Sequence, residues 1–284
     1  MILIADSGST KTDWILLNTQ KERVSTSVTE GLNPSVFSES DLYKTITSNN
    51  EVMQYVNEIT VVYIYAAGCG TATPKEILKN IVIEVFANAT TVAVKEDIYA
   101  AAFSVSEGKK GIVCIIGTGS NTCYYDGKNE IKTKIPSLGY LLMDDASGNY
   151  FGKLLLRDYF YKKMPKKLYD MFQETYNLNP DDVKINLYQK GNPNTYLAHF
   201  APFLITHKKE PYCVDIIRKG FSNFIENQIT QHDNVYDLPI HFVGSIAYHL
   251  QDELKYALKS FRLNVGNFVQ KPIDGLLAYH LKNS

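Results

Sequence analysis

Two short runs in the sequence combine glycine with hydroxyl side chains, a composition suited to anion binding: Gly8-Ser9-Thr10-Lys11-Thr12 and Gly117-Thr118-Gly119-Ser120-Asn121-Thr122. Glycine lets a backbone approach an anion closely, and successive N–H groups in a tight turn converge on it. The first run lies between the apolar segments Met1 to Ala5 and Trp14 to Leu17, the second between Gly111 to Ile116 and Cys123 to Tyr125. Each run therefore reads as the tip of a hairpin. One such hairpin is ordinary, because glycine and serine are common turn formers. Two of them, each opening one half of the chain, form a weak internal repeat whose tips could face one another and offer N–H groups to a polyphosphate.

Better-known phosphate devices do not fit. A P-loop needs glycine directly before the lysine and a helix after it. Here Thr10 precedes Lys11, Ala5 stands at the first glycine position, and Asp13 to Leu17 reads as strand. No G-x-G-x-x-G joins a strand to a helix, so a dinucleotide fingerprint is absent as well.

The elements that must position these turns alternate between strand and helix, which gives an α/β class. Apolar spacing predicts a helix over Asp41 to Val56, a buried strand over Ile59 to Ala67 and a helix that Pro74 opens. A strand from Thr91 to Val94 follows, then Glu96-Asp97 and an alanine-rich helix, Ile98 to Val105. The charged turn Glu107 to Lys110 makes a boundary. Beyond Ser147 the chain reads as mostly helical, with periodic stretches at Leu154 to Tyr161 and Val214 to Ile229. Ile240 to Val243 is a late strand, and Gly244-Ser245 opens a helix predicted to run to about Lys259.

Composition sets the outer limits. The 284 residues carry 29 Lys+Arg against 30 Asp+Glu, a net charge of −1, which is not the footprint of a dedicated nucleic-acid binder. Apolar residues at 45% suit a folded protein of one large domain or two ordinary ones. No apolar stretch approaches the ~20 residues of a membrane span, and the first residues do not read as a signal peptide. Four scattered cysteines without a C-x-x-C read as reduced thiols in a cytoplasmic protein. The six histidines, all at His199 or later, make no metal-binding spacing.

Taken with its neighbours, Asp6 to Thr12 resembles the first phosphate motif of the actin/Hsp70/hexokinase superfamily, in its N-acetylglucosamine kinase branch. Ile116 to Asn121 is similar to that branch's second phosphate motif, and Phe242-Val243-Gly244-Ser245-Ile246-Ala247 to its adenosine motif. The same group includes BadF/BadG/BcrA/BcrD-type ATPases, which activate reductases and dehydratases. The resemblance covers nearly the whole chain, with the motifs in order. It implies two ribonuclease-H-like (actin-like ATPase) domains with an interdomain cleft: residues 1–107 with the segment 270–284 packing back, and residues 108–269.

By this resemblance, ATP is bound by Gly8, Ser9, Thr10 and Lys11, by Gly117, Thr118, Gly119, Ser120 and Asn121, and by Gly244 and Ser245. Asp6 would hold Mg²⁺, commonly through water, as one carboxylate beside phosphate oxygens suits that ion. Asp97, matching the family's Asp-x-x-Ala-Ala, would be the base that takes the acceptor's proton. Read without the resemblance, Asp97 is a carboxylate stabilised at a helix N-terminus and Asp6 one that caps a turn. Asn33, Gly68, Asp97, Gly139 and Asp144 match the sugar positions.

The loop Met143-Asp144-Asp145-Ala146-Ser147-Gly148 departs from the family's Gly-Asp-Glu-Gly-Ser-Gly/Ala. Asp145 is one methylene shorter than Glu, and Ala146 limits the backbone if a positive φ is required there. The expected activity is ATP-dependent phosphorylation of N-acetylglucosamine or a related amino sugar on its primary hydroxyl. Two alternatives stand beside it. One is an ATPase activator, for which Cys69 is the cysteine in a glycine turn; the other is an ATP-sensing module. Expected partners are a small sugar, with no nucleic acid and no membrane, and a homodimer is left open. The cysteine cluster of the repressor/ORF/kinase sugar kinases is missing, which argues against that branch.

Overall fold

The computed structural model describes residues 1–283. The chain divides into two compact units, Met1–Gly108 together with the segment from Lys271 onward, and Lys109–Gln270.

The first unit runs β1 (Ile2–Ser7), β2 (Lys11–Leu17), β3 (Arg23–Glu30), α1 (Glu39–Thr47), α2 (Asn50–Met53), β4 (Val61–Ala66), α3 (Ala72–Val85), β5 (Thr91–Glu96) and α4 (Asp97–Val105). Its sheet has the order β3-β2-β1-β4-β5, antiparallel on the β2 side and parallel on the β4 side. The apolar runs of β1 and β4 are explained by burial on both faces. On one face Leu3, Ala5, Val62 and Ile64 pack with Leu42 and Ile46 of α1 and Leu78 and Val82 of α3. The small side chains Ala100, Ala101 and Ala102 bring α4 close to the other.

The helix expected over Asp41 to Val56 is two helices. Ser38 starts the first earlier, its Oγ accepting the Asp41 N–H at 3.2 Å. Thr47 and Ser48 donate their hydroxyls to the carbonyls of Tyr43 and Thr45 (2.9 and 3.1 Å), and Asn49 leaves helical geometry at ψ 84°. Short polar side chains compete with the helical ladder in this way. Strand β3 had no apolar signature, because this edge strand alternates between half-buried Ser or Thr and exposed residues.

The second unit contains β6 (Gly111–Ile116), β7 (Ser120–Tyr125), β8 (Ile131–Lys132), α5 (Gly148–Phe160), α6 (Lys166–Tyr176), α7 (Pro180–Tyr188), α8 (Pro193–Ala198), α9 (Ala201–Thr206) and α10 (Pro211–Asn227). It continues with β9 (Pro239–Val243), α11 (Ser245–His249), α12 (Gln251–Ser260) and β10 (Asn264–Val269). Its sheet order, β10-β9-β6-β7-β8, is that of the first sheet read from the other edge, with the same pairing senses. The hairpin repeat in the sequence is thus part of a repeat of the whole sheet. Helices α5 to α10 enclose a core containing Phe151, Phe172, Phe200, Phe221 and Phe224. The single helix expected from Gly244 to Lys259 is interrupted at Leu250, whose buried side chain accompanies a backbone turned to ψ 26°.

The last helix, α13 (Ile273–Asn283), belongs to the first unit, where it packs on α4. Tyr279 stacks on Phe103 with centroids 4.0 Å apart, and His280 Nε2 lies 3.0 Å from the Tyr65 hydroxyl. Gly275 allows this approach, since a Cβ there would stand 2.7 Å from the Ser104 carbonyl oxygen.

Burial, aided by the Lys95 charge, pushes the His280 pKa down to about 4. The unfolded chain therefore takes up this proton first, near the ordinary value of ~6.5. Stability falls as pH drops from about 6.5 to 4, by about 3 kcal/mol for this residue, and no further below that. His280→Gln should shrink the difference between urea unfolding midpoints measured at pH 7.5 and pH 5.

Candidate functional site

In both units the sequence-expected residues gather at the carboxyl ends of parallel strands, where open α/β sheets place their ligands. The first hairpin closes with the Gly8 N–H donating to the Lys11 carbonyl at 3.0 Å. A buried relay fixes it to the chain beyond β3. The Leu32 N–H donates to Ser7 Oγ (2.7 Å), Ser7 donates to Thr12 Oγ1 (2.8 Å), and Thr12 donates to the Glu30 carbonyl (2.8 Å). Gly31 permits that contact, because a Cβ there would collide with the carbonyl of Gly8.

Asn33 arrives at the tip in consequence, its Nδ2 donating to Ser9 Oγ at 3.1 Å. Gly68, at φ 80°, leaves the space that the Asn33 side chain fills. Asp97 is the first residue of α4, and its charge, with that of Glu96, helps push the pKa of neighbouring Cys69 up to about 12, burial being the larger cause. Cys69 is consequently a protonated thiol. Gly8 to Lys11, Asn33, Gly68 and Asp97 all belong to this strand-end region of the first unit.

Asp6 lies directly across the β1–β2 pair from Asp13, which sequence reading did not single out. Burial and then the Asp13 charge push the Asp6 pKa up to about 7, with Lys11 opposing. A cation would relieve this pair of carboxylates, so the donor set fits a hard divalent ion. Lys11 Nζ is held by Asp13 Oδ2 at 2.7 Å. Only strand register reveals Asp13 as part of the site.

In the second unit the α5 N-terminus docks on the Gly117 turn. The N–H groups of Gly148 and Asn149 donate to the carbonyls of Gly117 (2.8 Å) and Thr118 (3.0 Å). Peptide planarity then turns the N–H groups of Thr118 and Gly119 away from the helix. Asp144 is buried behind this turn, with Oδ1 accepting the Ser120 N–H (3.3 Å) and Oδ2 accepting from Asn149 Nδ2 (2.8 Å). Burial pushes its pKa above the usual carboxylate range against these hydrogen bonds. Ala146 does adopt the left-handed conformation at φ 60°, as does Asp144 at φ 67°. Such a conformation costs roughly 1–2 kcal/mol at a residue with a side chain. Asn121 follows in β7, its Oδ1 accepting the Thr122 N–H.

Gly244, at φ 119°, abuts Ile116 and Gly117 with no room for a Cβ, which places Gly244 and Ser245 beside the same turn. Gly139 turns at φ 78° in the loop that precedes α5, where its carbonyl accepts the Leu142 and Met143 N–H groups.

Gly8 and Gly117 differ from these glycines. A Cβ would approach Lys11 O only to 4.0 Å at Gly8 and would meet nothing within 4 Å at Gly117. Neither has a positive φ. The chain itself does not require glycine at either tip, and each leaves a small open space over the turn's backbone.

Two sheets of matching topology, each with an open glycine turn after its first strand, define the two-domain actin-like ATPase fold found in sugar kinases. A Porphyromonas gingivalis crystal structure described as a "putative N-acetylglucosamine kinase" is 34% identical, covering 100% of this chain and 99% of its own, with a TM-score of 0.91. The chain belongs to the family of that protein. A Chromobacterium violaceum protein with the same description is 16% identical over 98% of both chains, with a TM-score of 0.73. A ROK family glucokinase from Streptomyces griseus, in complex with glucose and AMPPNP, is 16% identical over 98% and 97%, with a TM-score of 0.54. No protein-family model and no curated protein matches the chain.

The open space at the second tip gives a direct test. Gly117→Val should leave the thermal midpoint near that of the native protein while weakening nucleoside triphosphate binding at least about tenfold in calorimetry, since bulk there excludes phosphate but not fold. Gly119→Ala makes a poorer probe, because its Cβ would stand 2.9 Å from Asp144 Oδ2.

Proposed function

We propose that this protein is an ATP-dependent kinase of N-acetylglucosamine or a closely related amino sugar, acting in the cytoplasm and belonging to the BadF/BadG-type ATPase group. The observation that carries the proposal is the pair of glycine tips with room for an anion over their backbone, in a chain of this family. In this reading the Gly8–Lys11 and Gly117–Asn121 turns hold the phosphates, and Gly244 and Ser245 border the adenosine. Asn33, Gly68, Gly139 and Asp144 bind the acceptor. Asp6 would hold Mg²⁺, which supplies neutralisation of phosphate charge.

Transfer of a phosphoryl group needs an aligned hydroxyl and a place for its proton. Asp97 supplies that place, accepting the proton as the hydroxyl oxygen bonds to the γ-phosphorus and ADP leaves. The activator alternative needs paired cysteines at a subunit interface, whereas all four cysteines here are buried within the chain. Asp145, one methylene shorter than glutamate, accepts from Asn227 Nδ2 at its Oδ2 (2.9 Å), and Asp144 is the buried carboxylate of the loop.

Coupled ADP release against a panel of hexoses, hexosamines and N-acetylhexosamines tests the reaction. Turnover confined to N-acetylated amino sugars is expected, and ATP binding without turnover of any sugar would support the sensing module instead. Asp97→Asn should keep nucleotide and sugar affinity within about threefold and lower kcat by ~10²–10⁴, the usual contribution of a general base. An unchanged kcat would remove Asp97 from the mechanism.

A further inference from the structure

Asn149 joins the glycine turn to the buried carboxylate from α5, as the Ser120 N–H does from the turn itself. It is itself buried, at 1% exposure. Ser147 Oγ caps α5 by accepting the Tyr150 N–H (3.2 Å) and donates its own proton to Asn149 Oδ1 (3.0 Å). That bond fixes the amide, so Nδ2 must point to Asp144, where it donates to Oδ2 at 2.8 Å. The backbone N–H of the same residue donates to the Thr118 carbonyl at 3.0 Å. One side chain and its own peptide thus set both the aim of Asp144 and the seat of the turn.

Two charged groups act on Asp144 from nearby with opposite effects: Lys153 on α5, which also donates to the Tyr140 carbonyl (3.4 Å), and Asp145, which also accepts from Asn227. The hydrogen bonds Asp144 accepts come from neutral donors, one on each oxygen. A carboxylate oxygen can accept two hydrogen bonds. Each oxygen therefore keeps one acceptor position, the pattern that suits two adjacent hydroxyls of a sugar ring.

We infer that Asn149 is a positioning residue that determines acceptor affinity, by holding Asp144 so that its two remaining acceptor positions take a vicinal diol of the sugar. The inference rests on the reading of Asp144 as an acceptor ligand. Asn149→Asp tests it with little change of shape. The backbone bond to Thr118 and the bond from Ser147 are retained, but a carboxylate oxygen replaces the donor facing Asp144. At pH 8 the KM for the sugar should rise at least about tenfold, the scale of a lost hydrogen bond to a charged group, with the KM for ATP nearly unchanged and the thermal midpoint lowered by the second buried carboxylate.

As pH falls, a proton shared between the two carboxyl groups restores an O–H···O bond, so the sugar KM of Asn149→Asp should recover towards native. Asn149→Ala should lose affinity without that recovery. The inference is overturned if Asn149→Asp keeps the native sugar KM across pH 6 to 8. It is equally overturned if the KM values of both substrates rise together, as a plain packing defect would produce. A native protein that turns over no sugar overturns the functional reading, and the inference with it; a native protein that does so, beside an indifferent Asn149→Asp, overturns the inference alone.

Discussion

A helix that begins inside a protein must find acceptors for its first N–H groups. Helix α5 finds them in the carbonyls of Gly117 and Thr118, and the rest of the second unit's site follows from that contact. The carbonyls face the helix, so the following N–H groups face away. Gly148 makes the approach feasible, since a Cβ there would already be 3.2 Å from the Gly117 oxygen. The loop entering the helix is drawn behind the turn, which buries Asp144 and leaves Ala146 in a conformation that glycine would adopt more cheaply. Gly244 then closes against the same turn from the neighbouring strand.

The loop departs at two residues from the motif it resembles. Ala146 adopts, at φ 60°, a left-handed conformation that glycine reaches more cheaply. Asp145, one methylene short of a glutamate, accepts from Asn227 Nδ2.

Much of this architecture was legible in the residues. The two hairpins, the strands from Ile59 and Thr91, the helix entered by Asp97 and the α/β class follow from apolar runs, glycine and small-residue patterns that act locally. The misses have a common cause. Strands β3, β8 and β10 are polar, short or half-exposed edge elements whose existence depends on a neighbour to pair with. The breaks at Ser48 and Leu250 come from local competition and from burial of one side chain. Asp13 matters because register sets it opposite Asp6, and Asn149 because Ser147 fixes its amide. Sequence spacing carries none of these pairings.

Helix α13 has a consequence for the order in which the molecule is made. The face of the first sheet that carries Tyr65, and with it Phe103 of α4, is completed by Tyr279 and His280, which lie beyond the entire second unit in the chain. A ribosome therefore releases β1 to α4 long before their last layer exists. During that interval the nascent first unit exposes an aromatic surface, and it can reach its final packing only after some 160 further residues, Lys109–Gln270, have been synthesised. The second unit is contiguous and carries no such delay. Folding on the ribosome is thus expected to finish in the reverse of sequence order, with a chaperone-accessible patch on the part of the chain that was made first.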